Sequence, residues 1–475
     1  MPRRYPQVVD NLCGTPARQG QDASAGCGQH DQDAEQSIHS SAHPTWSRHP
    51  LTVASPRAGS GTGTTGGGRS VRTTRALLTR WLPGVLLAVA AVAPLVIYWT
   101  TNPDDQRLVD LEVYRLGGEM ALTGRPVYDA FTPAPQLLPF TYPPIAALLA
   151  VPLALMSWPV AQWVWIALIY LTLAVTVAYS FRRLLPRAGA WAPVACGALV
   201  AATAYLMPIR DQTRFGQVDV ILVALCLADC AARNPRWPRG LLIGIATAVK
   251  LTPGVFLIYL WISGRRRAAV VAAATTAALT LLPFAIIPGD AADFWFSALL
   301  DSERLGANKA TTNQSMRGML LRLYLPEPLS TLIWLALVAV VAWYGFRAAR
   351  RASLDGHEIT GAALTGLMAV LLSPVAWIHH LAWIVLALGA LAGEGRDRAR
   401  LLMAAAVAVF YTVPVPWYGV SLLTMARDTP WLVVPGKIVQ DGYGLGALAL
   451  VWILAVWLRG RRPEVAVGPA GSARE

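Results

Sequence analysis

Long apolar segments separated by short basic clusters make up most of the chain after residue 74. The first runs from Leu77 to Trp99, and several others approach the roughly 20 residues that a helix needs to cross a bilayer. The pattern predicts an all-α polytopic membrane protein with about ten full spans and two hairpins. The predicted full spans lie at about 77–99, 159–181, 189–207, 217–232, 267–288, 331–347, 359–374, 375–392, 400–418 and 443–459.

Two further apolar segments, 143–157 and 240–262, do not fit a simple crossing. The first is short, and we expect it to enter the outer leaflet and return. The second is interrupted by Lys250 and Pro253, so we expect a broken helix whose two halves form a hairpin. Both hairpins bring the arginines that follow them to the cytoplasmic side. Non-helical backbone at membrane depth is tolerated only where it is buried in protein or lines a polar cavity.

Composition supports a protein of the cell membrane. The chain of 475 residues is 55% hydrophobic, with 14% charged residues against roughly 25% in soluble domains, and its mean hydropathy is +0.45. The net charge of +13 comes from arginines clustered between apolar segments, which is typical of cytoplasmic loops rather than of a nucleic-acid binding surface. We therefore expect both termini in the cytoplasm and the loop at 100–141 outside.

Three regions follow from this organisation: a disordered cytoplasmic tail at 1–74, a membrane-embedded domain at 75–462 and a short cytoplasmic tail at 463–475. The first tail is polar and aperiodic, with a glycine-rich stretch. Neither its histidines nor the five cysteines of the chain have the spacing of a compact metal site, so we expect no metal and no cofactor.

Polar residues on the outer side are the candidates for chemistry, because ionisable groups in a membrane protein are costly and mostly functional. Asp110 is the first candidate for a catalytic base, with helix capping or a loop salt bridge as its structural alternative. His379 and His380 are further candidates, since neighbouring helical residues point in different directions and one of the two can face a cavity. The candidates for substrate binding are Glu112, Tyr114, Tyr142, Arg210, Arg214, Gln217, Asp219, Lys250, Asn313, Gln314, Ser315 and Trp377.

Several of these residues have a second interpretation. Arg210 and Arg214 suit phosphate recognition, because a guanidinium offers two parallel hydrogen bonds, but they suit lipid head groups equally well. Lys250 could reach a lipid-linked phosphate or pair with a buried acid such as Asp219. Trp377 fits an interfacial aromatic belt as well as a sugar platform.

Six motifs in order resemble glycosyltransferase family 87. They are Asp110-Leu-Glu-Val-Tyr114, Gly124 to Tyr128 with Thr141-Tyr-Pro-Pro144, Phe215-Gly-Gln217, Lys250-Leu-Thr-Pro253, Asn313-Gln-Ser315, and Ser373-Pro through His380. The resemblance covers roughly residues 77–460. It implies the GT-C fold and an essential aspartate in the first extracytoplasmic loop, which Asp110 matches. Where the family usually has asparagine, this chain has Asp219.

The resemblance implies an inverting mannosyltransferase that takes mannose from polyprenyl-phosphate-mannose. The acceptor would be a mannoside of a lipoglycan or glycolipid at the outer membrane face, and the linkage would be α-(1→2). Two alternatives come from other classes: a secondary transporter or flippase of lipid-linked sugar, and a non-catalytic scaffold. A transporter is disfavoured because the acids cluster in one outer loop and the sequence has no internal symmetry.

Overall fold

The computed structural model describes residues 66–103 and 106–459. Within them the chain is built from α-helices and short 3₁₀ turns, with isolated bridges between Phe131 and Pro139 and between Asn313 and Trp377. The all-α prediction is confirmed for this part of the chain. The predicted C-terminal tail and most of the N-terminal one lie outside the described residues, whereas residues 66–74, predicted as tail, are helical.

The helices are numbered here in chain order. Those of the first half are α1 (Gly66–Thr100), α2 (Val109–Thr123), α3 (Pro144–Ala154), α4 (Trp158–Ser180), α5 (Ala192–Ala204), α6 (Met207–Phe215), α7 (Asp219–Ala231), α8 (Leu241–Val249), α9 (Val255–Ile262) and α10 (Arg266–Ile286). Those of the second half are α11 (Pro288–Phe296), α12 (Met316–Leu321), α13 (Glu327–Leu354), α14 (Glu358–Leu372), α15 (Ile384–Ala392), α16 (Arg398–Thr412), α17 (Val415–Met425), α18 (Val433–Gln440) and α19 (Gly442–Arg459).

Five helical segments of the described chain are long and apolar enough to cross a membrane. They are Thr79–Thr100, Trp158–Ser180, Leu185–Ala204, Arg266–Ile286 and Glu327–Leu354. The number rises to seven if each of two bent helix pairs forms one span. By length and composition the described helices thus reach fewer full spans than the ten expected from hydropathy.

The difference comes mainly from short helices in the centre of the molecule. The segments predicted as spans at 217–232, 359–374 and 375–392 form α7, α14 and the pair of a 3₁₀ turn with α15. Almost every residue of α14 and α15 is buried by neighbouring helices. Hydropathy reports burial in apolar surroundings and does not separate a protein core from lipid.

Proline bends the predicted span at 400–418. Helix α16 ends at Thr412, Pro414 follows, and α17 continues at an angle of 56°. Proline lacks the N–H that would continue the helical ladder, and its ring clashes with the preceding turn. A second pair, Pro430–Gln440 with Gly442–Trp457, is bent by the same angle.

The two expected hairpins both contain breaks. Helix α3 has 11 residues, and a short turn separates it from α4. Helix α8 ends at Val249, Lys250 has an extended backbone, and a 3₁₀ turn at Thr252–Gly254 leads into α9. The predicted interruption at Lys250 and Pro253 is therefore present, and it places the lysine side chain in the protein interior.

Candidate active site

Helix α2 lies in the segment that the sequence presents as an outer loop, and it carries Asp110 in its first turn. Acidic residues at this position favour the helix, because they face the positive end of its dipole. The helix ends at Gly124, which has a left-handed backbone and donates its N–H to Met120. Asp110 and Tyr114 are four residues apart, so they share one face of α2.

A tight backbone junction joins α2 to the end of α6. Leu108 has a left-handed backbone with φ of 46° and donates its N–H to the carbonyl of Arg214 at 3.1 Å. Gly216, with φ of +73°, ends α6, and a Cβ there would lie 2.8 Å from Cβ of Leu111. Trp165 donates from Nε1 to the Gly216 carbonyl at 2.8 Å. These contacts bring Gln217 next to the first turn of α2.

Gln217 links Asp110 to two tyrosines. Its Nε2 donates to Oδ2 of Asp110 at 2.5 Å. Its Oε1 accepts from the hydroxyls of Tyr114 at 3.1 Å and Tyr142 at 3.2 Å, which are 2.9 Å apart. The ionised carboxylate of Asp110 can only accept, so it fixes the amide N–H groups toward itself and leaves the amide oxygen to the two tyrosine hydroxyls.

Burial makes the carboxyl group of Asp110 a weaker acid than usual. Desolvation raises the pKa of its carboxyl to about 7, although the hydrogen bond from Gln217 and the charge of Lys250 oppose this, and Asp219 adds to it. A group that titrates near neutral pH is suited to accept and release a proton. Burial also raises the pKa of Tyr142 to about 12, so this hydroxyl remains a donor.

A buried ion pair lies beside this network. Nζ of Lys250 donates to Oδ1 of Asp219 at 2.7 Å, and both side chains are almost fully enclosed. The ammonium group also lies 5.4 Å from the ring centre of Tyr142. The second oxygen of Asp219, Oδ2, is buried and has no hydrogen-bond partner among the described residues. The pair therefore presents an unused acceptor beside a positive charge.

His379 and His380 approach the pair from a 3₁₀ turn after α14. Their rings are 4.7 Å apart, and Nε2 of His379 is buried without a partner in the described part of the chain. The carbonyl of His379 accepts from Nε2 of Gln212 at 2.9 Å, which ties this turn to α6. His380, with Asp219, Thr252 and Trp383, lines a small cleft of about 300 Å³, part of it open to solvent.

Asp219, His379 and His380 come close enough to suggest a metal centre, since their ligand atoms lie within 4.8 Å of one another. Two features disfavour it. Nδ1 of His380 accepts from the backbone N–H of Trp377 at 3.2 Å, so in the neutral ring the proton is on Nε2. Metal-binding histidines normally donate from their second nitrogen instead. Lys250 already neutralises Asp219.

Asn313, Gln314 and Ser315 are fully buried and bonded to the scaffold. Oδ1 of Asn313 accepts from the N–H of Ala376 at 3.0 Å, and Oγ of Ser315 donates to the carbonyl of Pro374 at 3.0 Å. The Gln314 amide bonds Thr311, Gln440 and Gly444. These contacts hold the segment that leads to the two histidines, and they leave the three side chains no evident role as ligands of a substrate.

The remaining candidates lie apart from the Asp110 network. Glu112, half-buried, is two residues from Asp110 and thus on a different face of α2, where it interacts with Arg115. The guanidinium of Arg214 lies over the rings of Trp99 and Phe215. Nε of Arg210 is buried without a hydrogen-bond partner in the described chain. Trp377 is half-buried and positions His380 through its backbone.

Gln212 and Trp165 support the site but were not singled out from the sequence. Gln212 is fully buried in α6 and bonds the His379 carbonyl, while Trp165 of α4 bonds the Gly216 carbonyl. Gln212 lies among other polar residues, Arg210, Asp211, Thr213 and Arg214, so its own polarity gave no separate signal. Trp165 lies in a long apolar helix, where nothing in the sequence marks a tryptophan that bonds a distant carbonyl.

Comparison with known proteins gives a consistent result. The model of glycosyltransferase family 87 matches residues 140–374, which include Gln217, Asp219 and Lys250. The polyprenol-phosphate-mannose-dependent alpha-(1-2)-phosphatidylinositol mannoside mannosyltransferase of Mycobacterium tuberculosis is 31% identical over 400 residues, which are 79% of this chain and 91% of that protein. The enzyme of the same name from Mycolicibacterium smegmatis is 34% identical over 372 residues, 74% of this chain and 83% of that one.

A solved structure, ArnT from Cupriavidus metallidurans bound to undecaprenyl phosphate, aligns with 82% of this chain and 78% of its own. Its TM-score is 0.35 and its identity 19%, which is too low to support an argument about this chain. The relatives from the two mycobacterial species match most of their own length at more than 30% identity. The chain therefore belongs to glycosyltransferase family 87.

Proposed function

We propose that the protein transfers a mannosyl residue, with inversion, from polyprenyl-phosphate-mannose to a mannoside acceptor of a cell-envelope glycolipid or lipoglycan, forming an α-(1→2) linkage. The activity for which the two mycobacterial relatives are named supports the donor, the linkage and a phosphatidylinositol mannoside as acceptor class. The observation that carries the proposal is the bond between Gln217 and Asp110, which orients a buried carboxylate beside the ion pair of Lys250 and Asp219.

Asp110 is the base in this mechanism. As the acceptor hydroxyl attacks the anomeric carbon, its proton passes to the Asp110 carboxylate, and the new C–O bond forms on the face opposite the departing phosphate. Gln217 holds the carboxylate in one orientation, and the two tyrosines hold Gln217. A fixed acceptor for the proton lowers the entropic cost of reaching the transition state.

The leaving phosphate gains negative charge, and the cation of Lys250 is the group suited to stabilise it. Lys250 lies near Asp110 and Asp219, as their mutual electrostatic effects indicate. His380, with its proton on Nε2, adds a hydrogen-bond donor close to Asp219, the partner of Lys250. In this arrangement the base and the phosphate-binding groups come from different helices, which suits attack and departure on opposite faces of the sugar.

Replacement of Asp110 tests the proposal. Asp110→Asn keeps the size of the side chain and removes the proton acceptor, so transfer from radiolabelled polyprenyl-phosphate-mannose should fall by at least about 100-fold. Glu112→Gln is the matched control, because it removes a carboxylate from the same turn of α2 but from another face, and its activity should stay within about twofold. Normal transfer by Asp110→Asn would refute the assignment of the base.

The same proposal places the site on the extracytoplasmic side of the cell membrane, with both termini cytoplasmic. The clustering of arginines between apolar segments supports this orientation. Exposed positions offer a direct test: a cysteine in place of Glu119, which follows Asp110 in α2, should react with an impermeant thiol reagent in intact cells. A cysteine in place of Arg396 should react only after permeabilisation. The reverse pattern would refute the orientation.

A further inference from the structure

A second, larger cavity lies outside the site described above. It is a cleft of about 650 Å³, part of it open to solvent, where the ends of five helices meet. These are the ends of α4, α15 and α19 and the starts of α14 and α16. Its lining consists of Ser180, Arg182, Arg183, His357, Glu358, Ile359, Thr360, Gly389, Ala390, Gly393, Glu394, Arg400, Leu454 and Trp457.

Helices α14 and α15 flank the turn that carries the two histidines, and this cavity lies at their other ends. Helix α14 begins at the cavity with Glu358 and ends at Leu372, shortly before His379, and its 15 residues span about 22 Å. Helix α15 runs the other way, from Ile384 beside the histidines to Ala392 beside the cavity. The cavity is therefore separate from the Asp110 network and takes no part in its chemistry.

Three guanidinium groups line the cavity. Arg182 lies 4.2 Å from the ring centre of Tyr179 and donates to the Tyr179 carbonyl at 3.2 Å. Arg183 contacts Nδ1 of His357 and the carbonyl of Gly356, both at 3.5 Å, the outer limit of a hydrogen bond. An arginine has five N–H donors, so these contacts leave most of the donors of Arg182 and Arg183 for a ligand.

Arg400 forms the opposite wall. It donates to the carbonyls of Leu391 and Ala390 at 3.0 and 2.6 Å, which places its charge at the negative end of α15. Its guanidinium lies 5.5 Å from the ring centre of Trp457. Arg400 thus adds positive charge to this wall of the cavity.

The start of α14 adds a second attraction for an anion. His357 precedes the helix without a side-chain hydrogen bond to its first turn, and Ile359 and Thr360 line the cavity. The first N–H groups of a helix have no partner within the helix and attract negative charge. Glu358 is the opposing feature, because its carboxylate lines the same space. Glu394, the other acid of the lining, pairs with Arg396 at 3.3 Å.

The remaining wall is apolar. Leu454 and Ile359 are buried, and Trp457 and Ala390 complete a surface that continues into the apolar helices α19 and α15. Arginines above such a surface match a molecule with a phosphate at one end and a hydrocarbon chain at the other. We propose that this cavity is a binding site for a phosphate group, held by Arg182, Arg183 and the start of α14, with the phosphate of an anionic phospholipid as its ligand.

Binding of lipid to the purified full chain tests this proposal. Native mass spectrometry in detergent would compare phosphatidylglycerol with phosphatidylcholine of the same acyl chains. The double variant Arg182→Gln/Arg183→Gln should bind phosphatidylglycerol at least about tenfold more weakly than the parent. Each substitution removes a charged hydrogen bond to the lipid phosphate. The control Arg125→Gln/Arg427→Gln removes the same charge from exposed positions elsewhere and should bind as the parent does.

Glu358→Gln gives a result of opposite sign. Removing the repelling carboxylate should tighten binding of phosphatidylglycerol, whereas a merely structural role of this end of α14 would leave binding unchanged. Thermal unfolding without added lipid, measured for each variant, separates loss of the site from loss of the fold. Equal binding of both lipids by the parent, or undiminished binding by Arg182→Gln/Arg183→Gln, would overturn the proposal. Inorganic phosphate is titrated in parallel. If inorganic phosphate stabilises the parent through these arginines and phosphatidylglycerol does not, the ligand is a soluble anion.

Discussion

The side-chain amide of Gln217 donates a 2.5 Å hydrogen bond from Nε2 to the carboxylate of Asp110, across 107 positions of sequence. The hydroxyls of Tyr114 and Tyr142 bond the other end of the same amide. A carboxylate at the start of a helix would otherwise rotate among several orientations. The two tyrosines therefore position the carboxylate through the side-chain amide of Gln217, which does not ionise.

The pH dependence of activity should reflect this contact. The pKa of Asp110 is raised to about 7, and a base must be deprotonated, so kcat/KM should fall as the pH decreases through about 7. Gln217→Ala removes a hydrogen bond that lowers this pKa, so the acid limb of the profile should move to higher pH and the maximal rate should fall. Rates measured from pH 5 to 9 with labelled donor provide the test. The control is Gln106→Ala, at an exposed position. An acid limb that stays at the same pH in Gln217→Ala would contradict the assignment of Asp110 as the base.

Gly216 should be more sensitive to substitution than a comparable glycine elsewhere. Gly216→Ala imposes a left-handed backbone on alanine and places Cβ 2.8 Å from Cβ of Leu111, so the first turn of α2, which carries Asp110, must shift. Gly124 has a similar φ of +66° but nothing within 4 Å of its Cβ position, so Gly124→Ala should cost only about 1–2 kcal/mol. Thermal unfolding and transfer assays should both show the larger loss for Gly216→Ala. Equal losses would mean that the close approach has no consequence.

Loss of one partner of the buried ion pair should destabilise the fold. Lys250→Met leaves the Asp219 carboxylate enclosed without its cation, at a cost of about 3–5 kcal/mol. Adding Asp219→Asn to this variant should recover much of the stability without recovering activity. The exposed pair of Arg125 and Glu119 is the control, since Arg125→Gln should cost less than about 1 kcal/mol. Chemical unfolding in detergent compares the single variant, the double variant and the control. If the double variant lost the sum of the unfolding free energies that the two single substitutions cost, direct pairing would be excluded.

Asn313 should behave as a structural residue. Its side chain bonds Asn308, Ser315 and Ala376, so Asn313→Ala leaves buried groups unsatisfied and should lower the free energy of unfolding by about 1–3 kcal/mol or more. The KM values for donor and acceptor should stay within about twofold of the parent, because no substrate contact is removed. Measuring KM and the unfolding midpoint on the same preparation distinguishes the roles. A selective rise in KM for one substrate, at unchanged stability, would restore the binding role that the sequence suggests.

The sequence was most informative where a polar residue interrupts apolar surroundings. Lys250, which interrupts an apolar segment, pairs with Asp219 in the structure, and this pair lies beside the bond between Asp110 and Gln217. The same signal does not separate the two roles of Asn313, because a buried side chain that bonds the scaffold has the same polarity as one that bonds a ligand. Sequence shows the need for a hydrogen-bond partner without showing which atom satisfies it.

The sequence predicts the fold class and the helix breaks better than it predicts the number of membrane spans. Helical apolar segments and the interruption at Lys250 follow from local chemistry. The bend at Pro414 had a visible cause in the sequence but was read as one continuous span. The length of α7, α14 and α15 depends on which helices surround them, and this information is distributed over the whole chain.

The candidate site is assembled from α2, α6, the turn before α7, the break after α8 and the turn after α14. Ribosomes deliver these parts in order, and the last of them, His380, emerges after four fifths of the polypeptide. A nascent or truncated protein that stops before that point has its carboxylate but lacks the opposing side of the pocket. Under the proposed function, catalysis therefore has to wait until His380 has been inserted, and C-terminal truncations reaching residue 380 should be inert even where the earlier helices are correctly inserted.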